Sequence, residues 1–193
     1  GMSDAHFSLE TRIHNALRKN HPGFDGDISP RVPAAVLIPF VHTNDEWHLL
    51  FTKRTNGVAK HRGEISFPGG AAEDEDKDLI QTAIREACEE IGLCEESIHV
   101  IGVMEPVQTV SNYCVLPVIG TVKWPQNLRL NPTEVENTLL IPVNWLKQDE
   151  NWYVQDFYFA PGQSKPVLHY RDFDGEHLWG ITAGLAQKIT SLI

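Results

Sequence analysis

Apolar residues recur along this chain in two rhythms. From Ser8 to Asn20, Leu9, Ile13 and Leu17 fall at helical spacing, Ser8 is placed to cap the first turn, and His21-Pro22-Gly23 ends the run, which predicts a short leading helix. A loop from Pro22 to Pro33 follows. Two apolar runs, Ala34 to Val41 and Trp47 to Thr52, then flank the turn-forming His42-Thr43-Asn44-Asp45 and predict a strand pair. Between Asn56 and Gly70 the breakers Gly57, Gly63, Pro68, Gly69 and Gly70 leave room only for a short strand at Ile65 to Phe67, so this stretch reads as a long functional loop.

The rhythm becomes helical again from Leu79 to Gly92, where Ile80, Ile84, Ala87 and Ile91 recur and Gly92 sits where a helix would end. Strands are expected at His99 to Met104, Tyr113 to Val122, Thr138 to Val143, Trp152 to Phe159 and Val167 to Tyr170, and a last helix at Leu178 to Leu192. Strands outnumber helices and hairpin-length connections dominate. The pattern therefore favours an α+β fold, a mixed sheet with helices on its faces, over a doubly wound parallel sheet.

The helix over residues 79–92 carries the candidate chemistry. With about 100° per residue and Ile80 at zero, Ile84, Ala87 and Ile91 fall within about 40° of it, while Glu86, Glu89 and Glu90 fall between about 180° and 280°. Three carboxylates so spaced repel one another by roughly a few tenths of a kcal/mol per pair, with Arg85 as the adjacent cation. A hard dication would offset that repulsion, because Mg²⁺ takes oxygen ligands and pairs one or two carboxylates with substrate phosphate oxygens. A solvated acidic helix face is the bland alternative. Phe67-Pro68-Gly69-Gly70 upstream tips the balance, since paired glycines let backbone groups approach a metal or phosphate closely.

Composition narrows the partners. Acidic side chains number 26 against 16 basic, a formal charge of -10, so polyanions are repelled and nucleic acid is not expected as a partner. With 41% apolar residues over 193 positions the chain can build a core, and a single domain over residues 1–193 is expected. No stretch approaches the roughly 18 apolar residues of a membrane span, and the N-terminus lacks a charged-then-apolar signal pattern. Cys88, Cys94 and Cys114 form no C-x-x-C pair and read as reduced thiols, with Cys88 a packing residue. Together these features predict a cytoplasmic protein without a membrane partner.

Gly70 followed by Arg85-Glu86-Ala87-Cys88-Glu89-Glu90-Ile91-Gly92-Leu93 resembles the box of the Nudix hydrolases, G-x5-E-x7-R-E-U-x-E-E-x-G-U with U aliphatic, over about residues 70–93. The second half matches throughout. In the first half Gly70 and Arg85 are fifteen positions apart where the general pattern has fourteen, and Asp76 occupies the place of the first glutamate. Around the box, Leu50-Phe51-Thr52-Lys53-Arg54-Thr55, His61, Gly63 and Phe67-Pro68-Gly69-Gly70, at about residues 50–70, resemble the extra motif of the coenzyme A diphosphatase group. Downstream, Val110 to Pro117, Asn131 to Val135 and Trp179 to Ala183 are similar to that group's later segments. Three positions depart: Ala59 stands where the group has arginine, Thr55 where it has a small residue, and Phe51 where it has leucine.

The resemblance implies a Nudix fold, a mixed sheet packed between helices as an α/β/α sandwich. It implies a Mg²⁺- or Mn²⁺-dependent hydrolase splitting the diphosphate of coenzyme A or its derivatives into 3',5'-ADP and (acyl-)4'-phosphopantetheine. The alternatives are a Nudix hydrolase of another nucleoside diphosphate derivative, such as ADP-ribose or NADH, and a non-catalytic Nudix-fold binding module. Glu86, Glu89 and Glu90 are the expected metal ligands with the carbonyl of Gly70, Glu89 doubling as a candidate base, and Arg85 the residue that orients a glutamate. Arg54, Lys60, His61 and Arg62 are expected to hold the coenzyme A-like substrate, with Lys60 or Arg62 standing in for the cation missing at Ala59. Glu134 and Glu136 are second-tier candidates for a base, and Tyr113 and Trp179 rank as core aromatics. A monomer and a homodimer are both open.

Overall fold

Both faces of the central strands are apolar, and the fold follows from covering each with helices. The computed structural model describes residues 3–19, 31–55 and 63–193. In chain order they form helix α1 (Asp4–Lys19), strands β1 (Val32–Thr43), β2 (Glu46–Arg54), β3 (Ile65–Ser66) and β4 (Gly69–Ala71), and helix α2 (Leu79–Ile91). Strands β5 (Ile98–Val103), β6 (Val107–Gln108), β7 (Tyr113–Val122) and β8 (Val135–Pro142) follow, then the single turn of α3 (Val143–Leu146), strands β9 (Trp152–Ala160) and β10 (Gln163–Tyr170), and helix α4 (Ile181–Ser191).

Strand β1 pairs antiparallel with β2 and parallel with β7, so the main sheet is mixed. Its path is β3-β2-β1-β7-β5, with β4 on β1, β6 on β7 and β8 on β2, while β9 and β10 form a separate two-stranded ribbon. Because side chains alternate along a strand, β1 feeds two cores. Ala35, Leu37 and Val41 meet Ala83, Ala87 and Ile91 of α2 on one face. Ile38 and Phe40 meet Leu9 and Ile13 of α1, Leu146 of α3 and Leu185 and Ile189 of α4 on the other. Each buried Leu, Ile, Val or Phe side chain among them contributes about 1.5–3 kcal/mol by leaving water.

Several boundaries differ from the sequence expectation, each for a local reason. Helix α1 begins at Asp4, because the Ser3 hydroxyl accepts the His6 N–H at 3.3 Å and acts as the cap in place of Ser8. Leu178 and Trp179 stay outside the last helix. Tyr170 N–H donates to the Leu178 carbonyl and Gly180 N–H to the Leu168 carbonyl, which ties this stretch to the edge of β10. Strand β10 starts at Gln163, ahead of Val167, because β9 supplies a hairpin partner along its length.

The end of α2 corrects the reading of the cysteines. Gly92 takes φ 71°, a left-handed conformation that glycine adopts without Cβ strain, and its N–H and that of Leu93 return to the Cys88 and Ala87 carbonyls at 3.0 and 3.3 Å. This reversal brings Cys94 back over the last turn of the helix, with Cα atoms of Cys88 and Cys94 4.4 Å apart, and the two are joined as a disulfide. Cys114 is the free cysteine. The pairing removes the thiol argument for a reducing compartment. Among the described residues no helix is long and apolar enough to cross a membrane.

Candidate active site

Helix α2 is fixed from both sides before any ligand is considered. At its start the Asp78 carboxylate accepts the Gln81 N–H at 2.8 Å. Asp76, its side chain only 4% exposed, takes the Arg85 guanidinium in a two-point fork, Nε at 2.8 Å and Nη2 at 3.0 Å, and also accepts from the Glu73 N–H and the Thr82 hydroxyl. Arg85 is the first cause that holds the Asp76 carboxyl well below the usual carboxylate range. The same guanidinium reaches Glu86 at 3.0 Å, Glu89 at 3.2 Å and the Ala71 carbonyl at 3.1 Å. Asp76 thus anchors Arg85 despite the extra residue in the first half of the motif.

The three glutamates do not share one environment. Glu90 is 4% exposed, Glu86 is half-buried, and the side chain of Glu89 is 54% exposed. The covered face of α2 comprises Thr82, Ala83, Ala87, Glu90 and Ile91, while Ile80 and Ile84 of the expected apolar stripe are only half-buried, so the helix is turned to bring Glu90 under its neighbours. Burial first, then the charge of Glu86, pushes the Glu90 carboxyl up to about 8, with the Gly69 N–H at 3.3 Å opposing the shift. Glu86 is also pushed up by burial, and Arg85 opposes it. Glu134 is half-buried and its charge raises both carboxyls, so this second-tier candidate lies within electrostatic reach of the pair.

Strand β4 lies against β1 and α2, and at Gly69 only glycine fits, whereas a side chain at Gly70 would displace the Glu86 carboxylate. Gly70 pairs with Ala35 and Gly69 with Val36. A Cβ on Gly70 would stand 2.7 Å from Cδ and Oε1 of Glu86, and one on Gly69 would run into the Ala35 carbonyl. Among the described residues no three His, Cys, Asp or Glu side chains converge as a closed metal cage. What exists is an open set, two carboxylates against bare backbone. That set fits a hard dication of the Mg²⁺ kind, which needs few protein carboxylates and fills the rest of its octahedron with water and phosphate oxygens.

Beside β4 lies a cavity of about 330 Å³, lined among others by Arg54, Gly69, Gly70, Thr109, Ser111 and Tyr113. Arg54 Nε is buried and has no hydrogen-bond partner among the described residues, and the Arg54 charge favours the ionised form of Glu90. Arg31 donates to the Thr109 carbonyl at the cavity's edge. Tyr113, read from sequence as a core aromatic, is 38% exposed and lines this cavity, whereas Trp179 is packed against His169 at 5.6 Å. The parallel β1–β7 pairing brings Thr109 to Tyr113 beside Arg54, and only the Val110 to Pro117 motif hinted at it. Lys60, His61, Arg62 and Ala59 lie outside the described residues.

A mixed sheet between helices, a glycine-bared strand and a carboxylate helix held by Arg85 define a Nudix fold. The NUDIX domain family matches residues 30–164, and the chain belongs to the Nudix hydrolases, enzymes that act on pyrophosphate bonds and generally use divalent ions such as Mg²⁺. The chain is 33% identical over 162 residues to an uncharacterized Nudix hydrolase, NudL, of Yersinia enterocolitica serotype O:8, across 83% of this chain and 80% of that one. It is 34% identical over 170 residues to the NudL protein of Citrobacter koseri, across 87% and 86% of the two chains. The crystal structure of a MutT/nudix family protein from Enterococcus faecalis superposes with a TM-score of 0.56 at 11% identity, covering 99% of this chain and 73% of that one, a likeness of fold.

Proposed function

We propose that the chain is a Mg²⁺- or Mn²⁺-dependent diphosphatase acting on coenzyme A or its derivatives, with 3',5'-ADP and (acyl-)4'-phosphopantetheine as products. The observation that carries this reading is the buried Glu90 carboxylate beside Glu86 and a bare glycine strand, with Arg54, whose Nε has no partner among the described residues, at the neighbouring cavity. Its extension to coenzyme A rests on the sequence motif from Leu50 to Gly70.

In this proposal Glu86, Glu90 and the Gly70 carbonyl hold the cation. When bound, it neutralises charge on the diphosphate oxygens and makes a coordinated water more acidic. Glu89 serves as a further ligand or accepts the proton of the attacking water, and Arg85, anchored by Asp76, keeps Glu86 and Glu89 in place. Water adds to one phosphorus as the bond from that phosphorus to the bridging oxygen breaks, and the two phosphate products separate. Arg54 binds a substrate phosphate together with Lys60, His61 and Arg62. The proposal takes residues 1–193 as one domain and, from the substrate class, places it in the cytoplasm.

Ala59, at the position of the group's arginine, supports a second reading in which ADP-ribose, NADH or another nucleoside diphosphate derivative is the substrate. A substrate panel with Mg²⁺ and Mn²⁺ separates the two. Release of phosphopantetheine should outpace hydrolysis of ADP-ribose and NADH. Equal or slower cleavage of coenzyme A transfers the assignment to the second reading, and no metal-dependent turnover on any diphosphate leaves a binding module.

A further inference from the structure

Strand β9 stands apart from the rest of the molecule. Seven of its nine residues, Tyr153 to Phe159, are exposed, and among the described residues it pairs with β10 alone. Tyr153, Val154, Phe157, Tyr158 and Phe159 are 44%, 54%, 41%, 71% and 47% exposed. Long apolar edges are templates for further pairing, and proteins usually blunt them with lysine, proline or an early bulge. Here Trp152 to Tyr158 contains neither lysine nor proline, and the pairing with β10 is regular until the irregularity at Gln163/Ser164, opposite Tyr158 and Ala160.

We propose that a second copy of this chain docks on the free edge of β9, antiparallel, with the twofold axis at Gln155. Two identical edges pair most simply in this isologous way. Centring on Gln155 sets Trp152 opposite Tyr158 and Tyr153 opposite Phe157 of the second copy, while the two Gln155 amides meet on the axis. Aromatic side chains facing each other across strands stabilise a sheet. Asp156 falls opposite Val154, so the two Asp156 carboxylates do not oppose each other.

Charge and area both suit a second copy. The whole chain carries -10, yet between Trp152 and Tyr170 the formal charges are Asp156 and Lys165, which cancel, so two copies approach here without the repulsion expected elsewhere. At about 200 Å² for a large aromatic side chain and less for Val154, the exposed parts of the five side chains come to at most roughly 500 Å² per copy. Full coverage in a pair would come to roughly 1,000 Å², the lower limit of a specific interface.

The test uses the full chain and does not depend on activity. Sedimentation over a concentration series should show a monomer–dimer equilibrium, with the dissociation constant at least tenfold weaker in Tyr158→Asp, a change at the most exposed position of the strand. Directly opposed residues stand about 4.5–5.5 Å apart at Cα, within disulfide range. Under mild oxidation Gln155→Cys should therefore give a covalent dimer. Tyr158→Cys should not, because its symmetry mate lies about 20 Å away along the strands. The parent chain, with its free Cys114, is the background. A monomer at every concentration, which would leave the edge to a different partner, overturns the proposal. So does a dimer indifferent to Tyr158→Asp, or cross-linking through Tyr158→Cys in place of Gln155→Cys.

Discussion

The two banks of the candidate site are built on opposite principles. On the helix bank, Asp78 starts α2, Gly92 ends it, and Asp76 grips Arg85 at two points, which then holds Glu86 and Glu89. Neighbours close in sequence make nearly all of these contacts. On the cavity bank, Arg54 at the end of β2, Gly69 and Gly70 of β4 and Thr109, Ser111 and Tyr113 near β7 come from three separate stretches, and among the described residues Arg54 Nε has no partner. The carboxylate bank is thus held by local contacts, whereas the cavity bank is assembled from distant pieces and leaves one buried guanidinium nitrogen without a partner among the described residues.

That contrast can be broken by mutation. The largest effect is expected on the helix bank: Glu90→Gln keeps the shape of a buried side chain but removes its charge, and metal-dependent turnover should fall on the order of 10³-fold. Steady-state rates at saturating Mn²⁺ check this, and an undiminished kcat would mean that the reaction centre lies elsewhere. On the cavity bank Arg54→Ala should act on binding. Loss of a charge-assisted contact worth about 1.5–3 kcal/mol raises KM about 10- to 100-fold with kcat little changed. A fall in kcat at constant KM would instead place Arg54 with the reaction centre.

The smallest effect separates anchoring from chemistry. Asp76→Asn leaves every proposed ligand in place but weakens the hold on Arg85, so kcat should drop roughly tenfold, and Asp76→Glu, which restores the family's residue, should recover part of it. Stability carries a pH signature. The folded-state carboxyl of Asp76 lies below its unfolded value, so its stabilisation is complete above about pH 4 and is lost as pH falls through the more acidic folded-state range. The difference in urea midpoint between the parent chain and Asp76→Asn should be full at neutral pH and shrink on acidification. A difference that persists unchanged at the lowest pH would rule out this ion pair as its source.

Much of this arrangement was legible in the order of residues. The period of Ile80, Ile84, Ala87 and Ile91 marked α2 as a helix, with Ala87 and Ile91 buried and Ile80 and Ile84 half-buried, Gly92 marked its end, and the apolar runs from Ala34 to Val41 and Trp47 to Thr52 announced a strand pair. These features are local, set by backbone geometry within a few residues. The disulfide between Cys88 and Cys94 was not legible, because the left-handed turn at Gly92 closes a spacing that carries no standard motif. Tyr113 was misjudged for a related reason: its exposure depends on where β7 ends relative to β1 and β4.

By itself the sequence determined the family, the mixed sheet with helices on both faces and the helix that carries Arg85, Glu86, Glu89 and Glu90, since all of these rest on periodicity and short motifs. Only the tertiary structure decided that the glutamates divide into a buried Glu90, a half-buried Glu86 and an exposed Glu89. Burial depends on what is laid over the helix. Here strand β4 passes beside α2 and joins β1, a contact between segments far apart in the chain that no helical wheel contains.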